Sequence, residues 1–281
     1  MISLNFKKEV NMSWKSTLPP GIDIKDLSLD DCRNFKKFHE LCGSIDNIGG
    51  PKGFRIFYQH LHYLLFYAMA CIQENRYPSI NKCWDKLSYL FLTDAYDCEW
   101  LVYCWIFCDF PITEKSNYVL LDSFSSFFLG NNETPDPMKE SIQQFCSVMK
   151  SSRLGLYQET LSTSKVTKYR ELFTNRALST IRSVPYYESG EIFLTRLVSF
   201  LGDTFTIHDS RSFPPEYRNT LENMVKNKLF YIAETDNEID DYERFMKLAG
   251  PYWMSCTHSD SSIPILQPDE YKTFYQSPIH K

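Results

Sequence analysis

One stretch of this chain, residues 152–215, has a pattern typical of strands, although helical patterns dominate on both sides of it. Short runs of alternating apolar and polar residues follow one another here, separated by residues typical of turns. Alternation with a period of two places successive side chains on opposite faces of a strand. We therefore predict an α+β fold that is mostly helical, with a small five-stranded antiparallel β-unit inserted near residues 152–210.

The predicted strands are five alternating runs joined by turn residues. They span residues 153–161, 166–173, 177–184, 191–201 and 204–209. The last two are joined at Gly202 and Asp203, a pair typical of a two-residue hairpin because glycine readily takes the positive φ that such a turn needs. Strands with these lengths and this spacing predict a twisted meander or a small half-barrel.

Helical periodicity dominates the rest of the chain. Residues 54–76 form the longest such run and are apolar on nearly all sides, which predicts a central, buried helix. Further helices are predicted at 31–41, 80–92, 95–110, 117–128, 136–150, 216–233 and 237–248. We therefore divide the chain into a helical region over 1–150, the β-unit over 151–215, and C-terminal helices with a tail over 216–281. We expect the three parts to pack as one compact protein.

Composition indicates a folded protein of a reducing compartment. The chain has 281 residues, of which 43% are hydrophobic and 23% charged, so it can bury a sizeable core. Its net charge of -5 at pH 7 argues against a broad electrostatic grip on nucleic acid, which needs clustered lysine and arginine. The nine cysteines include no CxxC pair and mostly lie in apolar stretches, as free thiols of cytoplasmic proteins do. We expect a cytoplasmic protein without a bound metal or cofactor.

Two features bear on export and on membranes. Residues 1–15 contain no apolar run of the kind found in signal peptides. Residues 56–73 carry no formal charge and approach the length of a membrane span. They include Gln59, His60 and His62, however, and polar groups of this kind are costly to place in lipid. We interpret this run as a buried helix of a soluble protein and expect no membrane association.

Four short segments carry a resemblance to a known group of proteins. They are Glu99-Trp100, Ser152-Arg153-Leu154-Gly155-Leu156-Tyr157, Arg170-Glu171-Leu172-Phe173-Thr174 and Gly190-Glu191-Ile192-Phe193-Leu194-Thr195-Arg196-Leu197. The region around them resembles uncharacterised bacterial proteins in which a helical segment leads into a small β-unit, often accompanied by a SEC-C-type zinc motif. The resemblance implies no activity. Only Cys256 and His258 lie near the C-terminus, and a structural zinc site takes four ligands, so we expect no metal.

Arg55 and His60 form the one spacing with a chemical interpretation. Four residues separate them on the predicted central helix, which resembles the R-x4-6-H motif of HEPN ribonucleases, all-helical enzymes that often act as dimers. Histidine can serve as acid or base toward a 2′-hydroxyl, and arginine can stabilise the phosphate charge. Arg33 with His39, and Arg55 with His62, fit the same loose spacing. The alternative is that these are satisfied polar groups at the margin of a core helix.

Candidate binding residues lie in and beside the β-unit. Arg196 falls in the most apolar predicted strand, where it must meet a carboxylate, several carbonyls or an anionic ligand. We expect an internal ion pair there, with ligand binding as the alternative. Tyr186, Tyr187 and Phe213 fall in predicted loops, where aromatic side chains can anchor a protein partner.

These observations lead to two hypotheses of function. The sequence contains no motif of a known catalytic set beyond the loose arginine–histidine spacing. We therefore expect a cytoplasmic, non-enzymatic interaction or adaptor protein with a protein partner. The alternative is a HEPN-like, metal-independent ribonuclease of a bacterial defence or toxin system, which is the only case in which we expect a nucleic-acid partner.

Overall fold

The computed structural model describes residues 27–42, 51–87, 99–113, 116–181, 190–232, 242–243 and 245–247. Within them the helices are α1 (Leu29–Arg33), α2 (Phe35–Cys42), α3 (Lys52–Gln73), α4 (Pro78–Leu87), α5 (Glu99–Cys108), α6 (Leu120–Leu129), α7 (Asp136–Ser151) and α8 (Arg218–Ile232). A 3₁₀ turn, Pro215–Tyr217, precedes α8, and residues 242–243 and 245–247 are also helical. Helices and an antiparallel sheet together confirm the predicted α+β class.

The predicted β-unit is present as a five-stranded antiparallel sheet. Its strands are β3 (Leu154–Ser162), β4 (Val166–Glu171), β5 (Ala177–Ile181), β6 (Ile192–Phe200) and β7 (Asp203–Phe213), in the spatial order β5-β4-β3-β6-β7. The order is not that of a meander, because the chain leaves β5 at one edge and returns as β6 on the other side of β3. The edge strands β5 and β7 approach each other, so the sheet is curled like the predicted half-barrel.

Both faces of the sheet are buried along its strand β6, and strand alternation explains which residues each face contributes. On β6, Ile192, Leu194 and Val198 point toward the helices and join the main core. Phe193 and Leu197 point to the inner, concave face. There they form a second cluster that also contains Tyr157, Tyr169 and Leu178. Every residue of β6 from 192 to 198 is buried, and this stretch is accordingly apolar except for Thr195 and Arg196.

Helix α3 is the central element, as predicted. It spans 22 residues and is buried along most of its length, including Phe57, Leu64 and Tyr67. It ends in a Schellman motif, in which Arg76 N–H donates to the carbonyl of Cys71 and Asn75 takes a φ of 51°. Within the described residues no helix combines the length and apolarity that crossing a bilayer requires.

The turn between β6 and β7 is shifted by one residue from the prediction. Phe200 pairs with Asp203, so the loop residues are Leu201 and Gly202, with φ of 50° and 87°. Asp203 Oδ2 instead accepts a hydrogen bond of 3.1 Å from the N–H of Gly53 in the first turn of α3. A Cβ atom at Gly53 would lie 2.5 Å from the carbonyl oxygen of Phe200, so only glycine allows this approach. The hairpin thereby caps the central helix.

One predicted helix begins later than expected. Residues 117–119 belong to β2 (Ser116–Val119), which pairs antiparallel with β1 (Pro111–Thr113), and α6 begins only at Leu120. Tyr118 and Val119 favour strand through their aromatic and β-branched side chains. At the start of α6, Asp122 accepts a hydrogen bond from the N–H of Val119, which stabilises the helix end that the sequence pattern had placed earlier.

Candidate functional site

A pocket opens at one end of the curled sheet, where α7 gives way to β3. Its volume is about 110 Å³. The lining residues are Val148, Ser151, Ser152, Arg153, Tyr157, Arg176, Leu178, Leu197, Val198, Ser199 and Thr204. This set combines two arginines, five hydroxyl-bearing side chains and four aliphatic side chains, and it contains no carboxylate. Mouths of β-barrels are common places for binding sites of this mixed character.

Arg153 is the buried cation of the pocket. It follows the C-cap of α7, and only 4% of its surface is exposed. Its Nη2 donates to both carboxylate oxygens of Glu171, at 2.9 and 3.1 Å, and its guanidinium lies 5.5 Å from the ring centre of Tyr242. Burial lowers the pKa of Arg153, but the electrostatic effects of Glu171 and the weaker ones of Tyr157, Glu243 and Tyr242 together outweigh it, and the net pKa is raised. Within the described part of the chain, Arg153 Nε has no hydrogen-bond partner.

Glu171 is held in place by a tight turn after β4. It is fully buried, and its Oε2 accepts a hydrogen bond of 2.5 Å from the hydroxyl of Thr174. Asn175, at φ 55°, turns the chain back into β5, and its N–H donates to the carbonyl of Glu171. The next residue, Arg176, is exposed at the pocket rim. Among the described residues its guanidinium makes no ion pair, so it is the pocket's second and more accessible cation.

Part of the apolar wall of the pocket belongs to the inner face of the sheet, and Val148 and Val198 of the main core complete it. Leu178, Leu197 and Tyr157 belong to the inner cluster and also line the pocket. The Tyr157 ring folds over Gly155, where an added Cβ atom would lie 2.5 Å from the phenol oxygen. Burial raises the pKa of Tyr157, so its hydroxyl stays protonated at neutral pH. Gly155 therefore fixes the position of an aromatic wall residue.

Arg196 forms an internal ion pair, as predicted. Its side chain is fully buried and forms a salt bridge with Asp109, just after α5, whose side chain is 1% exposed. Its Nη1 also donates to Ser152 Oγ at 3.2 Å and lies 3.5 Å from the carbonyl oxygen of Met149. These contacts join the sheet to α5 and α7, and they leave the Arg196 side chain no exposed surface for a ligand.

The predicted catalytic residues Arg55 and His60 both lie on α3, but they differ in burial. His60 is 4% exposed, its Nδ1–H donates to the carbonyl of Ile56 at 2.8 Å, and its ring packs against Phe145. Burial lowers the pKa of His60 to about 4. Arg55 is half-buried near the start of the helix. The contacts of His60 are those of a core residue, and the ribonuclease role of the pair stays a prediction.

The other histidines of the loose spacing also have local partners. His62 donates from Nδ1–H to the carbonyl of Tyr58 at 2.8 Å and packs its ring edge-on to Trp100. His39 is exposed, and its Nδ1 lies 2.5 Å from the hydroxyl of Tyr63. His39 and His60 contact the same ring, that of Tyr63, but His39 is exposed whereas His60 is buried, and His62 packs elsewhere against Trp100.

The predicted aromatic anchors divide into two groups. Tyr186 and Tyr187 lie outside the described residues. Phe213 was predicted to lie in a loop, but β7 extends to it and pairs it with Ile192. Its side chain is half-buried and packs against the main core, so much of the ring supports the fold. The described cysteines are all buried free thiols, and the described part of the chain contains no cluster of three metal-ligating side chains. Cys256 and His258 lie outside that part.

Sequence reasoning missed Arg153, Glu171 and Arg176, although a signal for one of them was present. Thr167, Tyr169 and Glu171 alternate on β4 and share the inner face. A carboxylate in such a position requires a buried partner. The partner itself could not be found, because Arg153 lies 18 residues earlier, just before β3, and comes close to Glu171 only when β3 pairs with β4. Arg176 carries no pattern that separates it from an ordinary turn residue.

Comparisons with protein-family models, with curated proteins and with solved structures give no match to this chain. Its function is therefore argued from the chemistry of the pocket.

Proposed function

We propose that this chain is a non-enzymatic interaction protein, an adaptor, that binds a protein partner through the pocket at the end of its curled sheet. The pocket's size carries the proposal. At about 110 Å³ it is well below the roughly 300–1,000 Å³ of sites that enclose small molecules or cofactors. It holds a volume equal to about four water molecules. A single residue projecting from a larger partner fits such a space.

The rigidity of the pocket supports the same function. Arg153 is fixed by Glu171, and the Tyr157 ring is fixed over Gly155. A preformed pocket binds with little loss of side-chain entropy, which favours recognition. The rim adds Arg176 and hydroxyl groups that can orient a polar group of the partner. Buried free thiols, as in the seven described cysteines, are typical of the reducing cytoplasm, and a cytoplasmic location belongs to this proposal.

A charge reversal at the rim tests the proposal. Partners are captured by crosslinking in native cells with the wild-type chain, with Arg176→Glu and with the control Arg170→Glu. Arg170 is also exposed, but it lies on the opposite face of the sheet from Tyr169. We expect Arg176→Glu to lose a specific partner that Arg170→Glu retains. Equal capture by both variants, or no specific partner for the wild type, would overturn the proposal.

The ribonuclease alternative has its own readout in the same cells. RNA cleavage and toxicity on expression of the wild type, both relieved by Arg55→Ala, would favour that enzyme over the adaptor. Arg55 is the better position to change because it is only half-buried, whereas replacing His60 also disturbs the core.

A further inference from the structure

The charges that line the pocket select an anionic ligand. Among the residues that the structure describes, Arg153 and Arg176 contribute to the lining and no acidic side chain does. Glu171 lies behind Arg153, where it is fully buried and pairs with that arginine. Glu243 lies 3.4 Å from Arg153 Nη2, but its side chain is 48% exposed, so solvent screens much of its charge. The accessible surplus is therefore positive and belongs mainly to Arg176.

A hydrogen-bond donor of Arg153 without a partner in the described ranges also favours an anionic ligand. Arg153 Nε is buried and has no hydrogen-bond partner among the described residues, and an unpaired buried donor costs roughly 1–3 kcal/mol. The hydroxyls of Ser151 and Ser152 donate to carbonyls of α7, and those of Ser199 and Thr204 lie 2.8 Å apart and bond to each other. The group that the pocket lacks is thus an acceptor, and a charged acceptor forms the strongest hydrogen bonds with arginine.

The same small space also presents an apolar wall. Leu178, Leu197 and Val198 line it together with the two arginines. A ligand that uses both surfaces must carry an anion and an aliphatic group within a few atoms of each other. The last residue of a polypeptide does so, because its α-carboxylate and its side chain leave the same carbon atom. Inorganic phosphate has no aliphatic group, and aspartate and glutamate side chains end in the charge alone.

We propose that the pocket binds the C-terminal residue of a partner protein, with the carboxylate at Arg153 and Arg176 and an aliphatic side chain against Leu178 and Leu197. The assignment rests on the proposed adaptor function and names the part of the partner that the adaptor recognises. A single positive charge in excess suits a monoanionic carboxylate better than a dianionic phosphate. The geometry is the capture of a chain terminus by fixed donors, with specificity from the neighbouring apolar wall.

The test uses the purified full chain and two peptides that differ in one group. Acetyl-Ala-Ala-Ala-Leu with a free carboxylate and the same peptide as its amide are titrated while backbone amide resonances are recorded by NMR. We expect the free acid to shift resonances around the pocket with a Kd on the order of 1 mM, as suits one buried residue. We expect the amide to bind roughly tenfold more weakly or not at all.

Variants and a competitor complete the design. Arg176→Glu should weaken binding of the free acid roughly tenfold, whereas Arg170→Glu should leave it unchanged. Equal binding of acid and amide, the absence of shifts around the pocket, or displacement of the peptide by millimolar phosphate would overturn the assignment. Circular dichroism and thermal unfolding show that each variant is folded.

The two proposals fail in different ways. If the chain ignores the peptides but still captures a partner that depends on Arg176, the carboxylate assignment is wrong and the adaptor function stands. If the chain binds the free acid but captures no partner in cells, the pocket assignment stands and the adaptor function is wrong.

Discussion

Two buried ion pairs involve the sheet of this protein, and one of them joins the sheet to a helix. Arg196 meets Asp109, and Arg153 meets Glu171, all four with side chains at most 5% exposed. Removing one member of such a pair leaves the other buried and uncompensated, which is far more costly than the pair's net contribution to stability. These residues are therefore positions where one substitution affects both the fold and the pocket.

Glu171→Gln tests this at the pocket. The change leaves Arg153 buried without its counter-charge, and we expect the free energy of unfolding to fall by about 3–5 kcal/mol. Urea denaturation followed by tryptophan fluorescence measures it. Glu243→Gln is the matched control, since Glu243 contacts the same guanidinium from a half-exposed position. We expect it to cost less than about 1 kcal/mol; equal losses for the two variants would contradict the assigned roles.

His60 makes stability depend on pH. Its pKa is lowered from 6.5 to about 4 by burial, so the unfolded chain takes up a proton before the folded chain does. The free energy of unfolding is therefore highest above pH 6.5, where His60 is neutral in both states. It falls by up to about 3 kcal/mol as the pH decreases toward 4. Burial lowers the pKa of His62 as well, so that residue acts in the same direction.

Urea denaturation between pH 7 and pH 4 measures this effect, with His60→Phe as the comparison. Phenylalanine suits the aromatic surroundings and does not titrate, so the variant should lose most of the pH-dependence attributed to His60. The contribution of His62 should remain. An identical pH profile for wild type and variant would rule out His60 as its source.

At the scale of elements, the hairpin between β6 and β7 contains a residue in an unfavourable conformation. Leu201 and Gly202 form a two-residue loop in which both φ angles are positive. Turns of this kind favour asparagine followed by glycine, because a leucine in the left-handed region costs roughly 1–2 kcal/mol. Leu201 is also 47% exposed, so its side chain contributes little packing in return.

We expect Leu201→Asn to raise the free energy of unfolding by about 1 kcal/mol. Thermal and urea denaturation measure the change. Gly202→Ala is the opposite comparison and should lower stability, since alanine is strained at the φ of 87°. A destabilised Leu201→Asn would mean that Leu201 makes a contact that outweighs its strain.

Across the whole molecule, one core cluster draws residues from each of the three parts into which the sequence was divided. Phe57 of α3, Phe200 of β6 and Phe245 of the C-terminal segment all belong to it. Trp105 Nε1–H donates to the carbonyl of Lys247 at 2.6 Å, which ties that segment to α5. Tyr242 stacks on Phe173 with ring centres 4.9 Å apart and lies beneath Arg153. The segment therefore supports the pocket from behind.

Tyr242→Ala tests the contribution of this segment. Removing a fully buried aromatic ring leaves a cavity, and we expect a loss of about 3–5 kcal/mol in urea denaturation. Tyr118→Ala, at a position 36% exposed, is the control and should cost less than about 1 kcal/mol. Equal costs for the two variants would show that the segment does not belong to the folded core.

The local features of this protein followed from its sequence. Alternation over residues 152–210 was sufficient to predict five antiparallel strands, and the apolar run of α3 was sufficient to predict a central helix. The same alternation also contained the signal for a buried Glu171, although the sequence prediction did not use it. Periodicity is set by neighbouring residues in the chain, so it can be read without knowing what the element packs against.

The pocket and its charge pairs were decided only by the tertiary structure. Strand order, the curl that brings β5 toward β7, and the pairing of Arg196 with Asp109, 87 residues away, depend on how separate elements meet. No pattern within one element specifies these contacts. A buried charged side chain requires a partner, but the sequence pattern does not identify which residue that partner is. The sequence by itself thus determined the elements and their buried faces, and packing decided which side chains form the pocket.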